Sequence, residues 1–184
     1  VRVKGLVTGY NKPVVGPISF SVAPGEVIGL WGANGVGKST VLNAIGRGAH
    51  VFQGTVERAP GLTLAYQEQR PVRLPVMPLT GRDILHTAGT TRQAPPEALR
   101  PLLNKRIDAL SGGQYQLLCV WAALGSAMDL VLLDEPTNNL DPDSEALLLE
   151  ILASERGQRA VLLVSHERGL LDAACSRVLT VKKH

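Results

Sequence analysis

The sequence predicts an α/β fold: a core with a mainly parallel sheet, an antiparallel β flank and a short inserted helical subdomain. Three observations predict it. Short apolar runs alternate with helical patterns along most of the chain, a glycine-rich turn joins one such run to a helix, and a proline-broken stretch interrupts the middle. With 184 residues, 45% hydrophobic and 19% charged, the chain is long and apolar enough to bury a full core.

The elements follow in order. Residues 1–7 and 18–22 are short alternating or apolar runs separated by the turn formers Gly9, Asn11 and Pro13. Pro24 and Gly25 turn the chain into a strand over 26–31, and a helical pattern with Val41, Leu42 and Ile45 comes next. Residues 52–57 and 62–66 read as two more strands joined by Pro60 and Gly61. From 70 to 104 six prolines break the chain into small pieces, with helices expected near 81–87 and 96–103. The spacing then predicts a helix over 112–126, a strand over 130–133, a helix over 142–155, a strand over 160–164 and a closing strand over 178–181. This gives one domain over 1–184, with the core at 1–69 and 111–184 and the helical subdomain at 70–110. No internal repeat or low-complexity tract is present.

Residues 32–40 read GANGVGKST, the Gly-x-x-x-x-Gly-Lys-Ser pattern of a P-loop. Glycine lacks a Cβ, so Gly32, Gly35 and Gly37, with Asn34, Val36 and Thr40 between and after them, let backbone N–H groups wrap phosphates. Lys38 reaches for the β- and γ-phosphates, Ser39 offers its hydroxyl to Mg²⁺, and the helix that starts here adds its positive dipole end. Strand, glycine loop and helix in that order is the context this motif requires. Residues 130–135 read LVLLDE, an apolar strand ending in two carboxylates at the edge where α/β sheets hold ligands. Asp134 is placed for Mg²⁺, and Glu135, pointing elsewhere, for deprotonating a water. The structural alternative is that both acids cap the next helix.

Residues 110–114 read LSGGQ. P-loop, LSGGQ and LVLLDEPTNNLD in this order resemble the ATP-binding cassette (ABC) ATPase family over nearly the whole chain. Ser111, Gly112, Gly113 and Gln114 combine a hydroxyl, bare backbone and a helix N-terminus, which serves both a helix cap and an anion site. In the family this site closes on ATP held by the opposite subunit. The resemblance implies further roles. Tyr10 matches the aromatic that stacks on adenine, the alternative being a turn tyrosine. Gln69 matches the glutamine that senses Mg²⁺ and the attacking water, with Gln67 as its rival. Asp141 matches a loop residue facing the other subunit, or else simply caps the helix at Pro142. His166 matches the switch histidine at the γ-phosphate. The helix after LSGGQ departs from the family, since Tyr115, Leu117 and Ala122 stand where arginines are common.

The family implies ATP and Mg²⁺ as ligands, a head-to-tail homodimer and an integral-membrane permease as partner. LAYQEQ and LPVMPLTGRDIL most resemble the metal-ion importer branch, for zinc or manganese. The alternative is a soluble ABC protein acting on ribosomes or DNA, which SHERGLLD and EPTNNLD resemble. A third reading, a regulatory module without turnover, conflicts with intact Lys38, Asp134, Glu135 and His166.

Composition bounds the partners. The net charge of +3 is too small and dispersed to imply nucleic acid, and Arg70, Arg73, Arg100, Lys105 and Arg106 form only a mild basic region. Cys119 and Cys175 suggest neither a metal site nor a disulfide, which fits a reducing cytoplasm. The longest nearly apolar run, 117–128, is too short to cross a bilayer, and no signal peptide is visible. The expectation is a cytoplasmic protein, peripheral to the membrane through a partner.

Overall fold

A computed structural model describes residues 1–69, 78–90 and 94–184. Arg70 and Arg73, part of the expected basic region, lie outside the described residues. The first half runs β1 (Arg2–Gly9), β2 (Pro13–Ser21), β3 (Val27–Trp31), α1 (Lys38–Gly46), β4 (His50–Glu57) and β5 (Leu64–Gln67). The second runs α2 (Gly81–Thr87), α3 (Arg100–Leu103), α4 (Gly112–Gly125), β6 (Leu130–Asp134), α5 (Pro142–Glu155), β7 (Ala160–Ser165), α6 (Arg168–Ala174) and β8 (Arg177–Thr180). Five parallel strands form one sheet in the order β5-β6-β7-β3-β8, and β2-β1-β4 form a separate antiparallel sheet. This is the α/β architecture with an antiparallel flank that the sequence predicts.

The apolar runs of the parallel strands follow from burial on both faces. Along β6, Leu130 and Leu132 face a cluster with Val41, Leu42 and Ile45 of α1 and with Val3 and Leu6 of β1. Val131 and Leu133 face the other way, against Leu118 of α4, Leu148 and Leu152 of α5 and Leu171 of α6. Strand β7 repeats this with Leu162 and Val164 on one face and Val161 and Leu163 on the other. Such a strand cannot tolerate a polar position until it emerges at its end, and β6 emerges at Asp134.

Several elements differ from the sequence-based reading, three of them for identifiable reasons. Strand β2 starts at Pro13, because its pairing with β1 continues to Gly9↔Pro13, and proline is acceptable as a first strand residue. The helix expected over 96–103 divides into a 3-10 turn, Glu97–Leu99, and the four-residue α3, with Pro101 in its first turn. Helix α6 escapes the sequence pattern because seven residues are too few for a clear period and no side chain caps its start.

Behind the sheet, Arg159 fastens α5 to the turn between α4 and β6. Its Nε donates to Glu155 Oε2 at 2.7 Å and its Nη1 to the Ser126 carbonyl at 2.9 Å, with both charged side chains almost fully buried. Removing one partner of such a pair strands the other charge. Arg159→Ala should therefore lower unfolding free energy by about 3–5 kcal/mol, read from urea midpoints. Replacing both residues with apolar ones should recover most of that. An unchanged midpoint for Arg159→Ala would contradict the assignment.

Candidate functional site

Strand register brings the sequence motifs to one edge. Trp31 pairs with Ser165 and Asp134 with Val164, so β3, β6 and β7 end side by side. Out of those ends come the P-loop, the Asp134–Glu135 pair and His166. Gly37 holds φ +104°, and a Cβ there would lie 2.7 Å from the Val15 Cβ, so the turn requires glycine twice over. No side chain caps α1, whereas Thr80, Ser111 and Asp141 cap α2, α4 and α5. The short helices α3 and α6 also lack such a cap, but only α1 starts from a glycine loop, where an anion is the natural cap.

Asn34, Gly35, Gly37, Lys38, Ser39 and Thr40 line a cavity of about 300 Å³ together with Gln69 and Glu135. Lys38 is buried, and its Nζ donates to the carbonyls of Gly32 at 2.9 Å and Ala33 at 3.4 Å while pairing with Glu135 Oε1 at 3.2 Å. Val36 turns its N–H onto the Ala33 carbonyl. Glu135 Oε2 in turn meets His166 Nδ1 at 2.8 Å and the His166 N–H at 3.2 Å. Glu135 sits at φ +47°, a left-handed conformation unusual outside glycine, which turns its side chain away from that of Asp134. Thr137 then donates to Glu167, tying the loop after Glu135 to the one after His166.

Asp134 is buried and receives the Ser39 hydroxyl on Oδ1 at 2.9 Å and the Tyr66 hydroxyl on Oδ2 at 3.2 Å. Burial pushes its carboxyl above the ordinary range. The two hydroxyl bonds and Lys38 oppose that shift, and the Glu135 charge adds to it. Burial, then the Asp134 charge, drives the Tyr66 phenol well above its ordinary value, so Tyr66 remains a donor. Among the described residues no cluster of three or more His, Cys, Asp or Glu could hold a metal ion. Ser39 and Asp134 are instead a pair of hard oxygen donors beside a phosphate loop, which suits an ion that arrives with phosphates supplying the remaining oxygens.

The other sequence-derived candidates sit apart. Gln67 is buried on the α4 side of β5 and lines a second, largely apolar cavity of about 370 Å³ with Ile84, Ala88, Cys119 and Ala122. Its Nε2 bonds the Glu68 carbonyl. Gln69, not Gln67, lies at the P-loop. Tyr10 is about half exposed and accepts from Asn43 Nδ2 at 2.9 Å, outside the lining of the P-loop cavity. Ser111 and Gln114 form a reciprocal capping box on α4, with Gly112 between them exposed. A Cβ at Gly113 would lie 2.5 Å from the Asn139 carbonyl, so this glycine permits the close approach of residues 139–140. Asp141 accepts from the Ser144 N–H and caps α5. Gln67, Tyr10, Ser111, Gly112, Gly113, Gln114 and Asp141 do not line the P-loop cavity. Sequence reasoning missed Tyr66 and Asn43, whose contacts are set by strand pairing and by a turn that no local pattern encodes.

The sequence profile of the ABC transporter family matches residues 15–138. A zinc import ATP-binding protein ZnuC of Ruegeria sp. (strain TM1040) is 38% identical over 182 residues, covering 95% of this chain and 73% of the relative. The protein of the same name from Roseobacter denitrificans is 34% identical over 193 residues, covering 100% of this chain and 76% of the relative. A solved ATP-binding subunit of an ABC transporter superposes with a TM-score of 0.80 at 26% identity, covering 98% of this chain and 85% of that one. The chain belongs to the ABC transporter family. It is an ATP-binding, ATP-hydrolysing subunit, and among its described residues no helix is long and apolar enough to cross a membrane.

Burial of Asp134 has a measurable consequence. A carboxyl raised above its unfolded value costs stability while it is charged. The cost is full above the folded pKa, shrinks as pH falls through it, and vanishes below the unfolded value of about 3.9. Asp134→Asn, without nucleotide and in chelator, should therefore melt higher at pH 7, by about 2–4 °C per kcal/mol recovered. That gain should fade on acidification. A lower melting temperature at pH 7 would mean that the Ser39 and Tyr66 bonds outweigh burial.

Proposed function

We propose that this chain energises metal-ion import, as one half of an ATP-closed homodimer docked on the cytoplasmic face of a membrane permease. The observation that carries the catalytic part is the chain of contacts Lys38–Glu135–His166 at the P-loop. Incoming phosphate oxygens compete for Lys38 Nζ, and withdrawing it from Glu135 frees that carboxylate to accept the proton of an attacking water. His166 holds Oε2 and keeps the carboxylate oriented. Ser39 and Asp134 would hold Mg²⁺, which would supply positive charge to offset that of the phosphates, and Gln69, which lines the same cavity, would contact the same region. Tyr10 offers an aromatic face for adenine.

The signature residues support pairing of two copies. Ser111, Gly112, Gly113 and Gln114 lie outside their own P-loop cavity, so they would complete the site of another subunit, with Asp141 near the contact. Glu135→Gln keeps the shape of the side chain and removes its basicity. Turnover should fall about 10²-fold or more while ATP binding stays nearly intact and a dimer accumulates in Mg·ATP, seen by light scattering. Adding Ser111→Arg should abolish that dimer. A Glu135→Gln protein that stays monomeric in ATP at tens of micromolar would sink the autonomous homodimer.

Two relatives named for zinc import favour the importer reading over a soluble protein of ribosomes or DNA. The apolar cavity between β5, α2 and α4 supports a protein partner at the helical subdomain, residues 70–110. Ala88→Arg places a charge in that groove and should cut recovery of a membrane protein in pull-downs from solubilised membranes, leaving ATP affinity unchanged. Recovery of ribosomes or DNA instead, with no membrane protein, would overturn the permease.

A further inference from the structure

Strand β5 is a four-residue edge strand that, among the described residues, pairs with β6 alone, and its last ladder pair is Gln67↔Leu133. Beyond that pair the backbones separate, one toward Gln69 at the P-loop cavity and the other into Asp134. Among the described residues one side-chain bond spans the divergence, the Tyr66 hydroxyl to Asp134 Oδ2 at 3.2 Å. We propose that Tyr66 is a positioning residue that fixes the plane of the Asp134 carboxylate and ties the Gln69 end of β5 to it.

The geometry makes this tie specific. A carboxylate held at one oxygen can still pivot about its Cβ–Cγ bond. Asp134 is held at both, with Oδ1 bonded to Ser39 of α1 and Oδ2 to Tyr66 of β5. Two anchors from separate elements set the direction of the Oδ1 lone pairs toward the P-loop. The Tyr66 ring is itself part-buried against the cluster containing Leu130 and Leu132, so its hydroxyl is delivered by a stiff arm with little entropy left to lose. Outer hydrogen bonds of this kind orient metal-facing carboxylates, and their loss typically costs about 10–100-fold in metal affinity.

The proposal rests on Asp134 facing the Mg²⁺ of the nucleotide complex, and the test separates the two. Mn²⁺ serves as a paramagnetic stand-in, with its affinity for the protein–ATP complex read by electron paramagnetic resonance. ATP affinity is measured in parallel in chelator. Tyr66→Phe keeps the ring and deletes only the hydroxyl. It should weaken Mn²⁺ about tenfold and leave metal-free ATP affinity unchanged. Asp134→Asn should weaken Mn²⁺ more, and adding Tyr66→Phe to it should cost nothing further, because the hydroxyl acts only through that carboxylate. If Asp134→Asn loses Mn²⁺ and Tyr66→Phe does not, the proposal fails and the site reading stands. If Asp134→Asn retains Mn²⁺, the site reading itself fails. Equal losses of metal-free and metal-bound affinity in Tyr66→Phe would reduce the hydroxyl to a packing role and overturn the proposal.

Discussion

A buried lysine facing a buried glutamate organises this molecule. Lys38 and Glu135 each retain about 5% or less of their exposure, and two charges so deeply placed are costly unless hydrogen bonds satisfy what the pair leaves open. The fold supplies those bonds from three strand ends. The carbonyls of Gly32 and Ala33 come after β3, the turn into Glu135 after β6, and the His166 N–H and Nδ1 after β7. Parallel strands with level ends make this possible, because all their carboxyl termini reach the same edge. An antiparallel sheet would alternate them between two edges.

The apolar faces and the polar edge are thus parts of one arrangement. Residues Leu130 to Leu133 bury both faces of β6 completely, and the next two positions are carboxylates with nowhere to project except the edge. Asp134 keeps the strand's alternation and meets Ser39. Glu135 leaves it through a left-handed backbone and meets Lys38 instead. One unusual dihedral angle therefore divides two adjacent acids between different partners, Ser39 and Tyr66 for Asp134 and Lys38 and His166 for Glu135. The backbone strain is held by the Glu135 N–H bonding to the Val164 carbonyl and by the Asn138 N–H bonding to the Glu135 carbonyl.

Much of this was legible in the sequence, for reasons that can be stated residue by residue. The P-loop and LVLLDE declare themselves because glycines, a lysine and emerging carboxylates are needed at fixed offsets along one strand and one turn. The choice between Gln67 and Gln69 was not legible from spacing alone. Alternation along β5 sends Gln67 toward α4, while Gln69 lies past the strand's end at the loop. Tyr66 was invisible for the same reason, since its partner stands 68 residues away and only the β5–β6 register brings them together. Helix α6 was missed because it is short and uncapped, so neither period nor punctuation marks it. Local chemistry is written locally, and contacts across strands are not.

The two halves of the sequence pattern, P-loop and LSGGQ, are separate in space yet mechanically joined. From Glu135 the chain passes through Thr137, held by Glu167, to Asn139 at φ +63°, whose carbonyl occupies the space a side chain at Gly113 would need. Two residues later Asp141 caps α5. The loop that begins at Glu135 therefore ends packed against the first turn of α4, where Ser111 and Gln114 cap each other's backbone N–H. A shift of Glu135 cannot be absorbed freely along this path, because each step is either hydrogen-bonded or in backbone contact. That gives Gly113 a reason to be glycine which is independent of any ligand: close approach to residues 139–140 requires a missing Cβ whether or not a phosphate ever reaches the helix.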